Sequence, residues 1–312
     1  MKGIDIISTG RALPDKKVTN DDLSKIVDTN DEWITTRTGI KNRYFCEEET
    51  NWQLAYRTAD KVITKAGIDK NDIGVLIVGT FTPDYATPSV ACILQKELGL
   101  SEDIMAFDIN AACSGFLYSL KIASSLLEDS DKPYALVLGS EKISSRLNME
   151  DRGTCVLFGD GAGGILIKQA PDKMFCSVTG ARGDYEALGC NGNTDSEPYI
   201  YMNGKTVFKY AVHNIVKATN DILTKSGLTL DDIDYVVCHQ ANERIIRSVI
   251  KQLKAPEEKF YININEYGNT SAASIPIALD EMNEAGMLNE GKKIICVGFG
   301  AGFTWGAILI EL

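Results

Sequence analysis

Short apolar runs recur along the chain and predict strands that are buried within sheets. They occupy residues 73–78, 104–109, 134–139, 235–238 and 293–298. Helix-like segments precede two of them and close on Gly67 and Gly227, and glycine readily adopts the left-handed conformation that ends a helix. Alternation of strands and helices is typical of α/β sheets whose faces are covered by helices.

This pattern repeats after 160 residues, from Lys65 to Lys225. The segments 65–78 and 225–238 match each other, as do the runs 134–139 and 293–298 and the glycine-rich segments 158–167 and 299–310. Chance similarity between buried strands is the alternative, but four elements matched in order favour a duplication. We therefore predict two similar halves, residues 1–170 and 171–312, packed as one compact unit about a pseudo-twofold axis.

Composition narrows the class of protein. With 312 residues, 44% of them hydrophobic, the chain has the composition of an ordinary globular protein that buries a substantial core. No stretch approaches the roughly 18 apolar residues of a membrane span, and no signal peptide is visible. The net charge of −11 argues against nucleic acid as a partner. Eight cysteines without close pairs or metal-ligand spacing predict reduced thiols in a cytoplasmic protein without a metal site.

Three reactive side chains stand where a predicted strand or loop passes into a helix. Cys113 follows the run 104–109 and lies among small residues, His239 directly follows residues 235–238, and Asn269 lies in the Gly-Asn-Thr-Ser string at 268–271. A thiol, an imidazole and a carboxamide together suit acyl transfer through a thioester. We expect the helix N-terminus to lower the pKa of the Cys113 thiol.

Each of these residues also has a purely structural interpretation. A lone cysteine among small residues is usually a buried structural thiol, and a lone histidine is usually a cap or a surface residue. The string around Asn269 suits an Asx turn or a helix N-cap. The second histidine, His213, lies in a predicted helix with no motif around it. If the chemistry needs an imidazole, His239 is therefore the candidate.

The three strings resemble those of the β-ketoacyl-acyl carrier protein synthase III family, which begins bacterial fatty acid synthesis. Similar segments at residues 7–14, 31–40 and 298–306 extend the resemblance over nearly the whole chain. The resemblance implies the thiolase fold, a duplicated five-layered αβαβα structure. It also implies an acyltransferase that forms a homodimer, takes acyl-CoA and acyl carrier protein as substrates, and needs no separate cofactor.

The resemblance further implies a role for each reactive group. Cys113 accepts the acyl group of acyl-CoA, and the carbanion left by decarboxylation of a malonyl thioester then attacks it. His239 and Asn269 donate neutral hydrogen bonds to the developing enolate oxygen. The family assigns the two backbone N–H groups that bind the oxyanion of the acyl-transfer step to Cys113 and Ala301. At the position of Ala301, many relatives have glycine.

Six family positions bind CoA. Trp33, Arg37 and Arg152 match positions that hold the adenine and the phosphates, which suits an aromatic ring and guanidinium groups. Without the resemblance, Trp33 is more typical of a core or surface aromatic, and Arg152 of a surface ion pair. Positions along the pantetheine tunnel are matched by Thr29, Gly204 and Asn242.

A basic stripe follows His239. Its members recur three, four and three residues apart, as on one face of a helix, and are Arg244, Arg247, Lys251 and Lys254. A solvated helical face is the alternative, but on a chain of charge −11 the stripe favours a landing site for an acidic carrier protein. Gln240 and Lys209 match further carrier-docking positions of the family.

Thr87 departs from the family pattern. Well-known acetyl-selective relatives have phenylalanine here, contributed across the dimer interface to the end of the acyl pocket, so Thr87 implies room for longer or branched primers. A thiolase would need a second cysteine within residues 298–306, which contain none. A synthase or acyltransferase of secondary metabolism and a silent acyl-CoA-binding scaffold remain as alternatives.

Overall fold

The computed structural model of the protein describes residues 3–192 and 197–312. Its strands are β1 (Ile4–Ala12), β2 (Lys16–Thr19), β3 (Asn42–Phe45), β4 (Ile73–Gly79), β5 (Met105–Ile109), β6 (Tyr134–Glu141), β7 (Gly161–Gln169), β8 (Phe175–Asp184), β9 (Leu188–Cys190), β10 (Ile200–Met202), β11 (Tyr235–Cys238), β12 (Phe260–Tyr261), β13 (Lys293–Gly300) and β14 (Gly302–Glu311). Its helices are α1 (Asn20–Leu23), α2 (Asp31–Thr38), α3 (Asn51–Ala66), α4 (Val90–Glu97), α5 (Gly115–Leu126), α6 (Gly204–Ser226), α7 (Glu243–Leu253), α8 (Ile264–Tyr267) and α9 (Ser274–Glu284).

Two five-stranded sheets with the same topology form the centre of the fold. The first has the order β1-β7-β6-β4-β5 and the second, read from its matching edge, β8-β14-β13-β11-β12. In both, the central strand pairs in parallel with one neighbour and antiparallel with the other, as β6 does with β4 and β7 and β13 does with β11 and β14. The segments matched by the 160-residue repeat therefore occupy equivalent places, which confirms the duplication.

Helices cover both sheets and fill the space between them. α5 and α9 contact strands of both sheets, whereas α3 packs mainly on the first sheet and α6 mainly on the second. An apolar core that includes Phe116, Leu279 and Val237 joins the two sheets through these central helices. The resulting order is helix, sheet, helix, sheet, helix, so the five-layered arrangement expected from the resemblance is confirmed.

Local sequence explains the equivalent helices α3 and α6. Thr50 and Gln53 form a capping box at the start of α3, and Asn203 caps α6 by accepting a hydrogen bond from the Thr206 N–H. Gly67 and Gly227 end the two helices at φ of 62° and 73°, a conformation that glycine adopts without strain. The predicted glycine stops are confirmed. No helix in the described part of the chain is long and apolar enough to cross a bilayer.

Candidate active site

A cavity of about 850 Å³ contains all three reactive groups of the sequence analysis. Cys113, His239 and Asn269 line it, as does Ala301 from the turn between β13 and β14. The first sheet contributes Cys113 through the segment after β5, and the second contributes His239 directly after β11. Cys113 thus follows β5, whose equivalent in the second sheet is β12, whereas His239 follows β11, whose equivalent in the first sheet is β4. The site therefore combines the carboxyl ends of non-equivalent strands from the two halves, and sites at the carboxyl ends of strands are usual in α/β sheets.

Cys113 lies in a tight turn that precedes α5. The turn is a 3₁₀ segment, Ala112–Ser114, and Ala112 has a left-handed φ of 47°, a conformation that costs energy for a residue with a side chain. A Cβ atom placed on Gly300 would lie 2.7 Å from the Cys113 backbone nitrogen. Glycine at 300 therefore allows the end of β13 to pack directly against the nucleophile turn.

The pKa of the Cys113 thiol is not lowered, contrary to our expectation. Burial raises it to about 12, the negative charge of Glu141 acts in the same direction, and the Ser271 hydroxyl opposes them. Cys113 as a whole is half-buried because it lines the cavity, but desolvation of its thiol is still the largest contribution to the raised pKa. Cys113 also precedes α5 and does not lie within its first turn, so desolvation outweighs the helix N-terminus.

His239 is a buried, neutral imidazole held from one side. It is 1% exposed, and its backbone N–H donates to the Val297 carbonyl at 2.8 Å. Nδ1 lies 2.7 Å from the Ser274 hydroxyl oxygen, and Nε2 is buried without a hydrogen-bond partner among the described residues. Burial lowers the pKa of His239 to about 3. The interpretation of this residue as a cap or surface histidine is wrong, since Asn242 caps the following helix.

Asn269 combines the structural and the functional interpretation. Its Oδ1 accepts the Ser271 backbone N–H at 2.9 Å, which is the expected Asx turn. Its own backbone N–H donates to Leu157, and its carbonyl accepts the Gly159 N–H. Because the Asx turn occupies Oδ1, the side chain retains the Nδ2 donor for the cavity that it lines.

A cationic and aromatic cluster lies at the surface. The guanidinium groups of Arg37 and Arg152 lie 4.6 and 4.7 Å from the centre of the Trp33 ring. Arg152 also donates to the Asp28 carbonyl at 2.8 Å and forms a 3.8 Å ion pair with its carboxylate, so the surface ion pair proposed as an alternative exists as well. An aromatic plane beside two permanent cations suits a nucleotide with its phosphates.

The expected tunnel residues differ in their placement. Gly204 and Asn242 line the cavity, and the Asn242 carboxamide donates to the Arg37 carbonyl at 3.1 Å. Asn242 therefore joins the cavity to the helix that bears Trp33 and Arg37. Thr29 does not line the cavity but has a buried hydroxyl oxygen without a hydrogen-bond partner among the described residues.

The carrier-docking expectations need three corrections. Gln240 is 1% exposed, donates to the Cys238 and Tyr261 carbonyls and accepts the Asn263 N–H, so it supports the loop and cannot contact a docked protein. Arg247 is held in ion pairs with Glu243 and Glu257. Lys254 lies beyond the end of α7 at a φ of 53° and is not part of the helical stripe. Arg244, Lys251 and Lys209 are exposed as expected.

The apolar end of the cavity is defined by side chains that also pack in one cluster, namely Phe81, Leu157, Phe158, Leu188, Cys190 and Ile200. Thr87 is exposed and does not line the cavity of its own chain. A single chain therefore does not test the expected contribution of Thr87 across a dimer interface.

Sequence reasoning missed three polar residues of the site. Ser274 contacts the His239 ring, and the buried groups Ser271 and Glu141 lie close enough to Cys113 to influence its pKa. A signal existed for Glu141, because it is a carboxylate at the end of a predicted apolar strand. Ser271 and Ser274 lie in the string that contains Asn269, but helical spacing alone did not indicate which of them meets the imidazole.

Comparison with known proteins agrees with the fold. Residues 107–183 match the sequence profile of 3-oxoacyl-[acyl-carrier-protein (ACP)] synthase III, and residues 223–312 match that of its C-terminal part. β-Ketoacyl-[acyl-carrier-protein] synthase III from Acholeplasma laidlawii is 49% identical over 99% of this chain and 98% of its own, and that from Clostridium novyi is 46% identical over 100% and 99%. The crystal structure of the synthase III from Aquifex aeolicus has a TM-score of 0.95 at 42% identity, covering 99% of this chain and 100% of its own. The chain belongs to the β-ketoacyl-[acyl-carrier-protein] synthase III family and has its thiolase fold.

Proposed function

We propose that this protein condenses an acyl-CoA primer with malonyl-acyl carrier protein, releasing CoA and carbon dioxide and forming 3-oxoacyl-acyl carrier protein. This is the initiating step of fatty acid synthesis. The proposal rests above all on one cavity that is lined by a thiol, a neutral imidazole with a free Nε2 and an oriented carboxamide. Full-length similarity to synthase III enzymes favours this reaction over condensation in secondary metabolism, and the intact reactive trio argues against a silent scaffold.

In the first half-reaction Cys113 attacks the thioester carbonyl of acyl-CoA, and the acyl group moves from the CoA sulfur to Sγ. The backbone N–H groups of Cys113 and Ala301 stabilise the tetrahedral oxyanion. Support comes from the close packing of the β13 end, at Gly300, against the Cys113 nitrogen. The Thr304 hydroxyl, which donates to the Ala111 carbonyl at 2.9 Å, ties β14 to the same turn.

In the second half-reaction the malonyl thioester loses carbon dioxide, and the resulting carbanion attacks the acyl-Cys113 carbonyl. Negative charge develops on the malonyl thioester oxygen, where Nε2–H of His239 and Nδ2–H of Asn269 donate hydrogen bonds. A pKa of about 3 keeps His239 neutral at physiological pH. A neutral donor stabilises the enolate without holding back the departing carboxylate, as a cation would.

The substrates approach from two surfaces in this proposal. The adenine and phosphates of CoA bind at Trp33, Arg37 and Arg152, and the pantetheine arm passes Asn242 toward Cys113. No additional cofactor takes part. The acidic carrier protein docks on the exposed cations of α7, Arg244 and Lys251, and the exposed Lys209 of α6 extends this docking surface.

We also propose a cytoplasmic homodimer. β5 forms the edge of the first sheet and pairs only with β4 among the described residues, and an exposed strand edge readily pairs with another chain. Met105 on this strand is 51% exposed, and Tyr85 in the segment that bears Thr87 is 54% exposed. Eight free cysteines suit a reducing compartment.

Mass spectrometry of the intact protein after exposure to acyl-CoAs of increasing length tests this function. We expect a single acyl adduct, and peptide mapping should locate it on Cys113. Cys190 lines the same cavity, so Cys190→Ser is the matched control and should still be acylated. Addition of malonyl carrier protein should then remove the adduct and yield the 3-oxoacyl product. Acylation that persists in Cys113→Ser, or an adduct that malonyl carrier protein never discharges, would refute the proposal.

A further inference from the structure

Glu141 is a buried carboxylate beside the nucleophile for which the mechanism above has no role. It ends β6 and is fully buried. Among the described residues, the hydrogen bonds to its carboxylate all go to one oxygen: Oε2 accepts from the Thr80 hydroxyl at 3.1 Å, the Thr82 hydroxyl at 2.6 Å and the Phe81 N–H at 3.2 Å. The other oxygen, Oε1, is buried without a hydrogen-bond partner among the described residues.

The surrounding hydrogen bonds determine which oxygen can bind a proton. Thr80 Oγ1 already accepts hydrogen bonds from Asn51 and from the Thr82 backbone, so its own proton points to Glu141. Thr82 Oγ1 accepts the Lys142 N–H, and its proton likewise points to Glu141. Three donors converge on Oε2, which leaves Oε1 as the atom that can take up a proton.

Ser271 begins a 3₁₀ turn, Ser271–Ala273, which packs against both β6, the strand that ends at Glu141, and the nucleophile turn of Cys113. The Ser271 hydroxyl is buried and lowers the pKa of both Glu141 and Cys113, although it forms no hydrogen bond of ordinary geometry in the described structure. Ser271 has a left-handed φ of 51°, which a non-glycine residue adopts only where the surroundings enforce it. The Asx turn of Asn269 holds its backbone in place.

We propose that Glu141, acting through the Ser271 hydroxyl, holds the proton that Cys113 releases when it is acylated. This inference rests on the proposed function and makes Glu141 a positioning residue for the thiol proton. Ser271 receives the proton from Sγ and passes its own to Oε1 of Glu141. The buried site then carries one negative charge before and after the transfer, so forming the thiolate buries no additional charge.

The proton balance closes over a full turnover. The Cys113 thiolate forms a bond to the acyl carbon, the bond from that carbon to the CoA sulfur breaks, and the CoA thiolate takes a proton from water. Glu141 stays protonated while the acyl group is on Cys113. When the product leaves, the Cys113 thiolate recovers its proton from Glu141 through Ser271. The cycle therefore consumes one proton from solvent, which appears on CoA.

The titratable groups around Glu141 agree with this role. Burial raises the pKa of Glu141 to about 7, whereas His239, with a pKa of about 3, is a poor acceptor. Cys113 and Cys190 feel the charge of Glu141. Asp160 precedes Gly161, the residue that pairs with Glu141 across the sheet, and its carboxylate accepts hydrogen bonds from Ser144 and Cys46. The ammonium group of Lys142 donates to the Glu49 carbonyl.

The test compares single-turnover acylation by acyl-CoA with decarboxylation of malonyl carrier protein, each across pH. Wild-type acylation should accelerate as pH rises through about 7 and then level off, because the carboxylate must be free to accept the proton. Glu141→Gln keeps an oxygen for the three donors and should acylate roughly 100-fold more slowly, with this pH step lost. Ser271→Ala should behave alike, and decarboxylation should persist in both variants.

Asp160→Asn removes another buried carboxylate, one whose two oxygens are both hydrogen-bonded away from Cys113, and should keep the wild-type pH step. If Glu141→Gln does not fold, Ser271→Ala decides, since its hydroxyl makes no hydrogen bond in the described structure. Wild-type acylation rates and pH dependence in the variants overturn the inference, as does an equal loss of both activities at every pH. A wild-type protein that is never acylated refutes the proposed function instead.

Discussion

The Ser274 hydroxyl oxygen lies 2.7 Å from Nδ1 of His239 and also accepts the Gln240 backbone N–H at 3.3 Å. The hydroxyl still has its proton to donate while its oxygen accepts the Gln240 N–H, and we assign this proton to a hydrogen bond to Nδ1. With this assignment the imidazole carries its proton on Nε2, the nitrogen that has no partner among the described residues. Ser274 thus makes the buried imidazole a hydrogen-bond donor to the cavity.

Ser274→Ala should allow the His239 proton to move from Nε2 to Nδ1, because the variant lacks the hydroxyl that contacts Nδ1. We expect decarboxylation of malonyl carrier protein to slow about fivefold, since one hydrogen bond contributes roughly 1 kcal/mol. Nitrogen NMR of the His239 ring is the direct measurement. His213, exposed on α6, can be replaced by Gln so that one imidazole remains. An Nε2–H signal that is unchanged by Ser274→Ala would contradict the assigned role.

His239→Ala or Asn269→Ala should separate the two half-reactions. Each variant loses one donor to the enolate oxygen, which costs about 2.7–4 kcal/mol by analogy with oxyanion holes. Malonyl decarboxylation should therefore fall by two orders of magnitude or more, while some transfer of acyl groups to Cys113 persists. Rapid-quench measurement of both steps provides the comparison. Undiminished malonyl turnover in both variants would show that neither side chain has this role.

The sequence predicted the elements of the fold better than the electrostatics of the site. Apolar runs and glycine stops located the duplicated strands and helices, because burial of strands and the left-handed helix end are local requirements. The resemblance pointed to Cys113, His239 and Asn269, which the structure brings to one cavity. The pKa of Cys113 was predicted in the wrong direction, because burial of the thiol and the nearby charge of Glu141 both raise it and depend on segments far apart in the sequence.

Surface roles were the hardest to predict. Gln240 follows His239 directly and matches a docking position, yet its amide is used inside the loop. The charge of Arg247 is neutralised by Glu243, one turn earlier, and by Glu257, beyond the end of α7. Helical spacing indicates which residues share a face, but partners from other segments decide which of them stay free.

Two buried groups should give opposite pH dependence to stability. The pKa of His239 is about 3 in the folded protein and 6.5 in the unfolded chain. His239 therefore adds stability that is lost as pH falls below about 6.5. Glu141 has a raised pKa of about 7 against 4.5, so it adds stability that is lost as pH rises toward about 7. Urea unfolding of wild type, His239→Gln and Glu141→Gln between these limits measures both.

The stability difference between wild type and His239→Gln should increase with pH, by at most about 1.4 kcal/mol per pH unit. The difference between wild type and Glu141→Gln should decrease over the same range. Equal slopes in the two comparisons would mean that neither group retains the protonation state inferred from its burial. His213→Gln is the control for loss of an exposed imidazole.

Charge reversal on α7 should weaken carrier docking selectively. Arg244→Glu is expected to raise the KM for malonyl carrier protein more than the KM for acyl-CoA, because Arg244 is exposed beside the loop that follows His239. Arg247→Glu should act mainly on stability, since Arg247 is paired within the chain. Lys96→Glu, the same charge change on α4, is the control. Equal effects of Arg244→Glu on both substrates would indicate a general defect instead of a docking site.

Thr87 should set the primer length if the dimer completes the acyl pocket. The residue is exposed in the single chain, so its influence requires the partner subunit, and a threonine there leaves the volume of an aromatic ring unfilled. Each methylene that an acyl chain buries in that space contributes roughly 0.8 kcal/mol, which corresponds to about a fourfold increase in kcat/KM per methylene. We expect substantial activity with primers of about four carbons or more, and a Thr87→Phe variant that favours acetyl-CoA. Specificity constants for acetyl-, butyryl- and octanoyl-CoA provide the measurement, with the neighbouring Ala86→Phe as a matched control. A wild-type enzyme that accepts acetyl-CoA alone and is unaffected by Thr87→Phe would show that other side chains close the pocket.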